Sequence, residues 1–411
     1  MSAFKFISEF ISKKENMINS VCLYALSALS AFCIIFWNVS AVDKIAIAGG
    51  AAVISVMFMI NIKHLKSWQF YLVLLNMLSL MATLYLNKGI GLGVVLTAFS
   101  LIISITLFNT ITFDKKAVNI SRCIIGGAML ILFATSKYTR SVGGDWINIY
   151  NKLSGGRINN NSMGILIAAF TFLLVVLLKD YYENKGKWSL IAVGAITVLG
   201  MGFAYPFSGR IALAAIALFF VLLMLRGVKI NTSLYRPICI AVFLLAVILP
   251  IAYIQLYHAV DNFEFMGKNF FTGREKIWDL AFEQIRQHPI FGSGTTLDFN
   301  DAGYSTQSAH NAMLGIWKNV GIIPLVTVVI CFFRRRYQYI NTEDRALFAF
   351  LVIMFTESFF MDSHFCFIFL VFMLRSHDEI NANLPKTRFH KWIEKKVHTK
   401  RKVKEAAEND T

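Results

Sequence analysis

Charged side chains are scarce in this chain. They make up 16% of its 411 residues, where a soluble globular chain averages about 25%. With 56% hydrophobic residues and a mean hydropathy of +0.59, that scarcity excludes a soluble globular domain and gives a polytopic membrane protein. The six cysteines (Cys22, Cys33, Cys123, Cys239, Cys331, Cys366) fall in or beside apolar runs, with no CxxC pair. The polar connections hold none, so neither a disulfide nor a thiolate metal site is expected. HExxH, DxD and any cluster at ligand spacing are also missing, so no metal or other cofactor is expected. Without DxD, a nucleotide sugar is disfavoured as a donor, because transferases that use one commonly hold its divalent ion with that motif. There is no soluble domain, repeat or low-complexity stretch, and no similarity between halves of the kind inverted repeats leave, which argues against a transporter or flippase. Residues 1–16 carry charges and no small-residue cleavage site, so no removable signal peptide is expected.

What the chain does have is membrane-length apolar runs, about 20 residues each, enough to cross about 30 Å of hydrocarbon. Twelve are read: 17–37, 43–60, 68–86, 89–108, 118–135, 162–178, 188–206, 209–225, 237–256, 312–333, 346–361 and 363–375, the tenth interrupted and the last short. The fold expected is therefore an all-α bundle, with a membrane domain at 1–376 and a basic tail at 377–411. The net charge of +16 is a topology signal before it is a nucleic-acid signal. With the N-terminus inside, alternate short connections carry Lys63/Lys66, Lys115/Lys116, Lys179/Lys185/Lys187, Arg226/Lys229/Arg236 and Arg334/Arg335/Arg336/Arg345, the positive-inside pattern. Both termini are then cytoplasmic, and 136–161, 206–210 and 257–311 lie outside. The basic tail also suits an anionic lipid surface.

Four arginines on the outer side run against that charge rule: Arg140, Arg157, Arg210 and Arg274. Isolated charges at a membrane boundary usually have a partner. Guanidinium stays charged and presents a planar fork to phosphate oxygens, so Arg274 and Arg210 are the leading candidates for holding a lipid-linked diphosphate and stabilising its departure. Arg157 and Arg140 stand behind them. His310 is the natural general base, since an unperturbed pKa of about 6.5 leaves imidazole mostly neutral at pH 7. Asn311 either orients that imidazole or caps the helix that follows. Glu275–Gln287 reads as an amphipathic helix, with Thr272 and Glu275 as a capping box and Trp278 at head-group level along the bilayer surface. Glu357, Asp362 and His364, near the outer end of the last two spans, read chiefly as a structural polar cluster, with a second site or partnership to the arginines as the other readings.

Several segments in this order resemble the O-antigen ligase/polymerase family of bacterial membrane glycosyltransferases. They are Ser208-Gly209-Arg210, Gly273-Arg274 with Trp278, Pro289-Ile290-Phe291-Gly292-Ser293-Gly294, and His310-Asn311-Ala312-Met313-Leu314 ahead of Gly321; Asn159-Asn160-Asn161 matches an asparagine-containing turn. The resemblance covers roughly 150–330 and departs from relatives at Lys318, where many carry an acid. It implies a glycan donor on undecaprenyl diphosphate at the outer face of the inner membrane. Arg210 and Arg274 would contact the diphosphate, His310 would activate the acceptor hydroxyl, and Arg157, Arg140, Asn311 and Trp278 would support substrate binding. The acceptor would be a second lipid-linked glycan (a polymerase) or lipid A–core (a ligase), with the polymerase preferred. The bilayer, a flippase and a chain-length regulator are the partners implied, and no nucleic acid.

Overall fold

The structure is a computed structural model that describes residues 2–87, 91–140, 147–179, 187–207, 210–225, 232–260, 264–265, 268–269, 273–294, 309–334, 341–357, 360 and 363–376. In chain order the elements begin with α1 (Ser2–Ile35), α2 (Ser40–Asn61), α3 (Ser67–Leu86), α4 (Leu92–Phe108) and α5 (Lys115–Thr135). Strands β1 (Ser136–Arg140), β2 (Ile147–Asn151) and β3 (Arg157–Ile158) follow, then α6 (Asn160–Leu177), α7 (Lys187–Ala204), α8 (Arg210–Met224) and α9 (Thr232–Ala259). After a short hairpin, β4 (Glu264–Phe265) and β5 (Lys268–Asn269), come α10 (Arg274–Gln287), α11 (Ala312–Val320), α12 (Ile322–Arg334), α13 (Thr342–Leu351) and α14 (Ser363–Met373). Among the described residues, six helices are long and apolar enough to cross a membrane: Lys14–Ile35, Ser40–His64, Ser67–Leu86, Lys115–Thr135, Asn160–Leu177 and Arg236–Ala259. Four shorter apolar helices, Leu92–Phe108, Ile191–Phe207, Arg210–Met224 and Ile322–Arg334, pack among them.

Two of the expected runs are not single helices. Residues 312–333 divide at Gly321 into α11 and α12, and α13 ends at Leu351 and tightens into a 3-10 turn over Val352–Phe355. The connection at 136–161 holds a three-stranded antiparallel sheet, with Tyr138 opposite Ile149 and Ile149 opposite Ile158. Its inner face, including Ser136, Ile149, Asn151 and Ile158, is buried. It lies over the end of α1, where Asn151 donates to the Ile35 carbonyl at 2.6 Å and Ser154 to the Trp37 carbonyl at 2.8 Å.

Without water between them, helices associate through packing and interhelical hydrogen bonds. Rings interlock in the core, Phe172 against Phe219 at 4.6 Å and Phe332 against Phe243 at 5.2 Å. Asn19 and Asn61 exchange amide hydrogen bonds between α1 and α2, and Asn76 of α3 donates to Thr327 of α12 at 2.6 Å. Hydroxyls inside helices, such as Ser27, Ser30, Thr106 and Thr171, donate to the carbonyl four residues back, which satisfies them where no water reaches.

The same bonds fix which helix ends meet. At one end, Asn161 opening α6 donates to Glu357 at 3.3 Å, and Thr83 and Asn87 closing α3 donate to the carbonyls of Phe291 and Gly292. The 18 residues of α6 carry the chain about 27 Å, so Lys179 stands at the opposite end. There Lys179 and Arg122 both pair with Glu343, Arg122 at 3.2 Å, and Arg375 pairs with Asp344 at 3.1 Å.

Candidate functional site

The site is assembled where α10 and α11 begin. Gly273 precedes α10 with φ of 84° and contributes no side-chain cap. The expected capping box is therefore replaced. The N-cap is Gly273, Glu275 falls at the second helical position rather than the third, and Thr272 lies outside the described residues. The helix is amphipathic as read, but its apolar face meets protein. Ile277, Trp278, Ala281 and Ile285 form a small core with Ile254, Ala309 and Leu314. This corrects the placement of Trp278 at head-group level. The indole is 5% exposed, packs edge-on against Tyr253 at 5.1 Å, and donates its N–H to the Ala309 carbonyl at 2.9 Å. A buried indole usually spends its donor this way, and here the bond fixes the backbone one residue before His310.

His310 is one of two non-glycine residues with positive φ among the described residues, at 45°. Such a backbone is uncommon, though less so for His than for most residues, and persists where its surroundings over-determine it. The next residue supplies that restraint. Asn311 is fully buried and caps α11, its side-chain oxygen accepting from the N–H groups of Met313 and Leu314, both at 3.0 Å. Its amide donates to the carbonyls of Ala246 at 2.7 Å and Phe355 at 3.3 Å. Of the two expectations for Asn311, capping is what the geometry gives.

The Pro289–Gly294 segment clamps the far ends of α10 and α11 together. Trp317 donates its indole N–H to the Pro289 carbonyl at 2.9 Å, and Ser293 N–H donates to Lys318 O at 2.7 Å. Gly294 N–H donates to Asn319 O at 3.1 Å. Gly321 breaks the helix here for a steric reason as well as a conformational one: at φ 90° a Cβ would lie 1.9 Å from the Ile290 carbonyl oxygen. Lys318 is 2% exposed, buried in this clamp.

Between the starts of α10 and α11 stands Glu357, just after the 3-10 turn. One carboxylate oxygen is 3.5 Å from Arg274 Nη2 and also accepts from the Asn161 amide; the other is 3.3 Å from His310 Nδ1. The side chains of Arg274, His310 and Glu357 are 26%, 20% and 14% exposed, so a ligand can reach all three. Sequence reasoning ranked this carboxylate low. The signal available was a lone acid beside an apolar run, which calls for a partner. Asp362 lies outside the described residues, as does the side chain of His364.

The other candidates are placed as follows. Arg210 is exposed at the first position of α8, after the Tyr205–Phe207 turn. A helix N-terminus carrying a guanidinium favours an anion. Ser208 and Gly209 lie outside the described residues. Arg157 is exposed on β3, three residues before Asn160, and Asn159 caps α6 by accepting from Asn161 N–H at 2.8 Å. Arg140 ends β1, its side chain outside the described residues. Arg210 and Arg157 have no salt bridge to Glu357, so of the sequence candidates the structure brings His310 and Arg274 together at that carboxylate. No group of three or more His, Cys, Asp or Glu side chains is arranged to hold a metal ion among the described residues.

No curated protein and no solved structure matches this chain. The family model described as O-Antigen ligase matches residues 208–329, a stretch that opens beside Arg210, contains Arg274, Trp278, His310 and Asn311, and ends within α12. Over this region the chain is similar to the O-antigen ligase family.

Proposed function

We propose that this chain is a glycosyltransferase of surface polysaccharide (O-antigen or capsule) biosynthesis, transferring a glycan from undecaprenyl diphosphate to an acceptor hydroxyl. The observation that carries the reading is the shared carboxylate: Glu357 sits between the candidate base His310 and the candidate phosphate ligand Arg274. With its Nδ1–H directed to Glu357, His310 presents Nε2 as the proton acceptor. Nε2 takes the proton of the acceptor hydroxyl, whose oxygen attacks the anomeric carbon. The bond from that carbon to the diphosphate oxygen breaks, and undecaprenyl diphosphate leaves with the electron pair. Arg274 and Arg210 offset the charge that builds on the leaving group, a task that rewards fixed cations in a partly water-excluded site. Arg157 and Arg140 are assigned to the flanking phosphate or glycan, and Trp278 and Asn311 to positioning His310. The arginines supply the positive charge, so this mechanism uses neither metal nor cofactor.

We assign the site end of the bundle to the periplasmic side of the inner membrane and both termini to the cytoplasm, in a twelve-span topology. The basic residues at the other end, Lys179, Arg122 and Arg375 among them, support that orientation. Within the family the preferred reaction is repeat-unit polymerisation, on the form of the Gly273-Arg274 and His310-Asn311 segments. Ligation to lipid A–core is the second reading, favoured by the description of the matching family model. Surface-glycan profiles of a deletion strain decide between them. Glycan reduced to a single repeat on its acceptor gives the polymerase, and full-length glycan stranded on its carrier gives the ligase. An unchanged profile contradicts both and returns a flippase or transporter to consideration.

A further inference from the structure

The sheet at 136–158 has a second face, of which the proposed chemistry uses only Arg157. Strand register puts Lys137 opposite Tyr150, and Tyr150 opposite Arg157, so the three side chains form one row across β1, β2 and β3. All three residues are exposed, Tyr150 at 40%. Among the described residues their side chains make no hydrogen bond or ion pair with protein. The opposite face is buried over the end of α1, so the row looks away from the helix ends. An aromatic ring flanked by two cations on adjacent strands, with Lys152 exposed just beyond, is more than a solvated sheet face requires.

The row also lies beside the site. Arg157 is four residues from Asn161, a separation of at most about 14 Å, and Asn161 donates to Glu357. On the inner face of the sheet, Tyr138 packs its ring against Phe207 at 5.6 Å, three residues before Arg210. The sheet thus bridges the two places where candidate phosphate-binding arginines stand.

We propose that this row binds the glycan itself, and that the glycan carries carboxylates. The Tyr150 ring covers the apolar C–H face of a sugar, and Lys137 and Arg157 pair with acidic groups on it or its neighbours. This rests on the glycosyltransferase reading and adds a substrate class to it. An anionic lipid head group is the competing occupant; the orientation of the face and the central ring favour the sugar.

The test is binding of a short oligogalacturonate to the purified full-length protein in detergent, with a neutral maltooligosaccharide of equal length alongside. The acidic oligomer should bind the wild type, and bind less tightly as salt is raised. Tyr150→Ala should weaken it about tenfold, and Lys137→Gln combined with Arg157→Gln should weaken it by at least as much. Thermal melting should be unchanged, since no buried contact is removed. Equal binding of both oligomers, or variants that bind like wild type, would overturn the inference. So would loss of binding to phosphatidylglycerol vesicles in the same variants with oligogalacturonate binding intact. Transfer by His310→Ala is measured in parallel. Full transfer there ends the glycosyltransferase mechanism, whereas His310-dependent transfer with unaltered oligomer binding in the row variants ends this inference alone.

Discussion

Among the described residues, Glu343 and Glu357 each sit between two basic side chains, and they are built to opposite specifications. At one end of the bundle Glu343 pairs with Arg122 and Lys179, its side chain and that of Arg122 each 1% exposed. At the other end Glu357 pairs with Arg274 and His310 at 3.5 and 3.3 Å, with 14% to 26% of each side chain exposed. The closed cluster cannot meet a substrate and ties α5 and α13 to Lys179, two residues beyond α6. The open one is looser, reachable and held in place by its surroundings rather than by its own bonds. A carboxylate between two basic side chains is therefore not in itself a sign of chemistry; exposure and the looseness of the pairing separate the two.

Substitutions at the two ends sharpen that contrast. The largest effect on stability is expected at the closed cluster. Glu343→Ala leaves two buried cations uncompensated and should destabilise the protein by about 3–5 kcal/mol, read as a lower melting temperature and poor recovery from membranes. At the open cluster the effect should move from stability to rate. Arg274→Lys keeps the charge but loses the planar fork, and should lower transfer by about 10²–10³-fold with little change in melting. Full activity in that variant would remove the diphosphate role. Glu357→Gln, close in shape but uncharged, should lower turnover by about 10²-fold through a misdirected imidazole, whereas Glu343→Gln should act mainly on melting. If both glutamines behave alike, the distinction between the ends fails. The smallest effect on turnover is expected from Trp278→Phe, which deletes the indole bond to Ala309, worth about 1 kcal/mol, and trims a buried ring; turnover should still fall by more than stability explains, because His310 loses a restraint.

Much of this was legible in the sequence, for identifiable reasons. Hydrophobic runs announce helices, and the charge rule singled out Arg274 before its contact with Glu357 was known. The partner of His310 was harder. Glu357 lies 47 residues downstream and follows the 3-10 turn that closes α13, a placement that periodicity does not encode. Trp278 shows the complementary limit. Helical spacing put it correctly on the apolar face, but what covers that face is a tertiary matter, and the cover is Ile254, Ala309 and Leu314 rather than lipid. The sheet at 136–158 was missed because its strands are short and polar on one side, and their pairing with the end of α1 leaves no local pattern.

The most direct test of the central claim is transfer of glycan from undecaprenyl diphosphate by purified wild type and His310→Ala, with melting temperatures recorded alongside. The mechanism predicts polymer or glycosylated acceptor from the wild type, none above background from the variant, and matching melts. Undiminished product from a folded His310→Ala protein would contradict it.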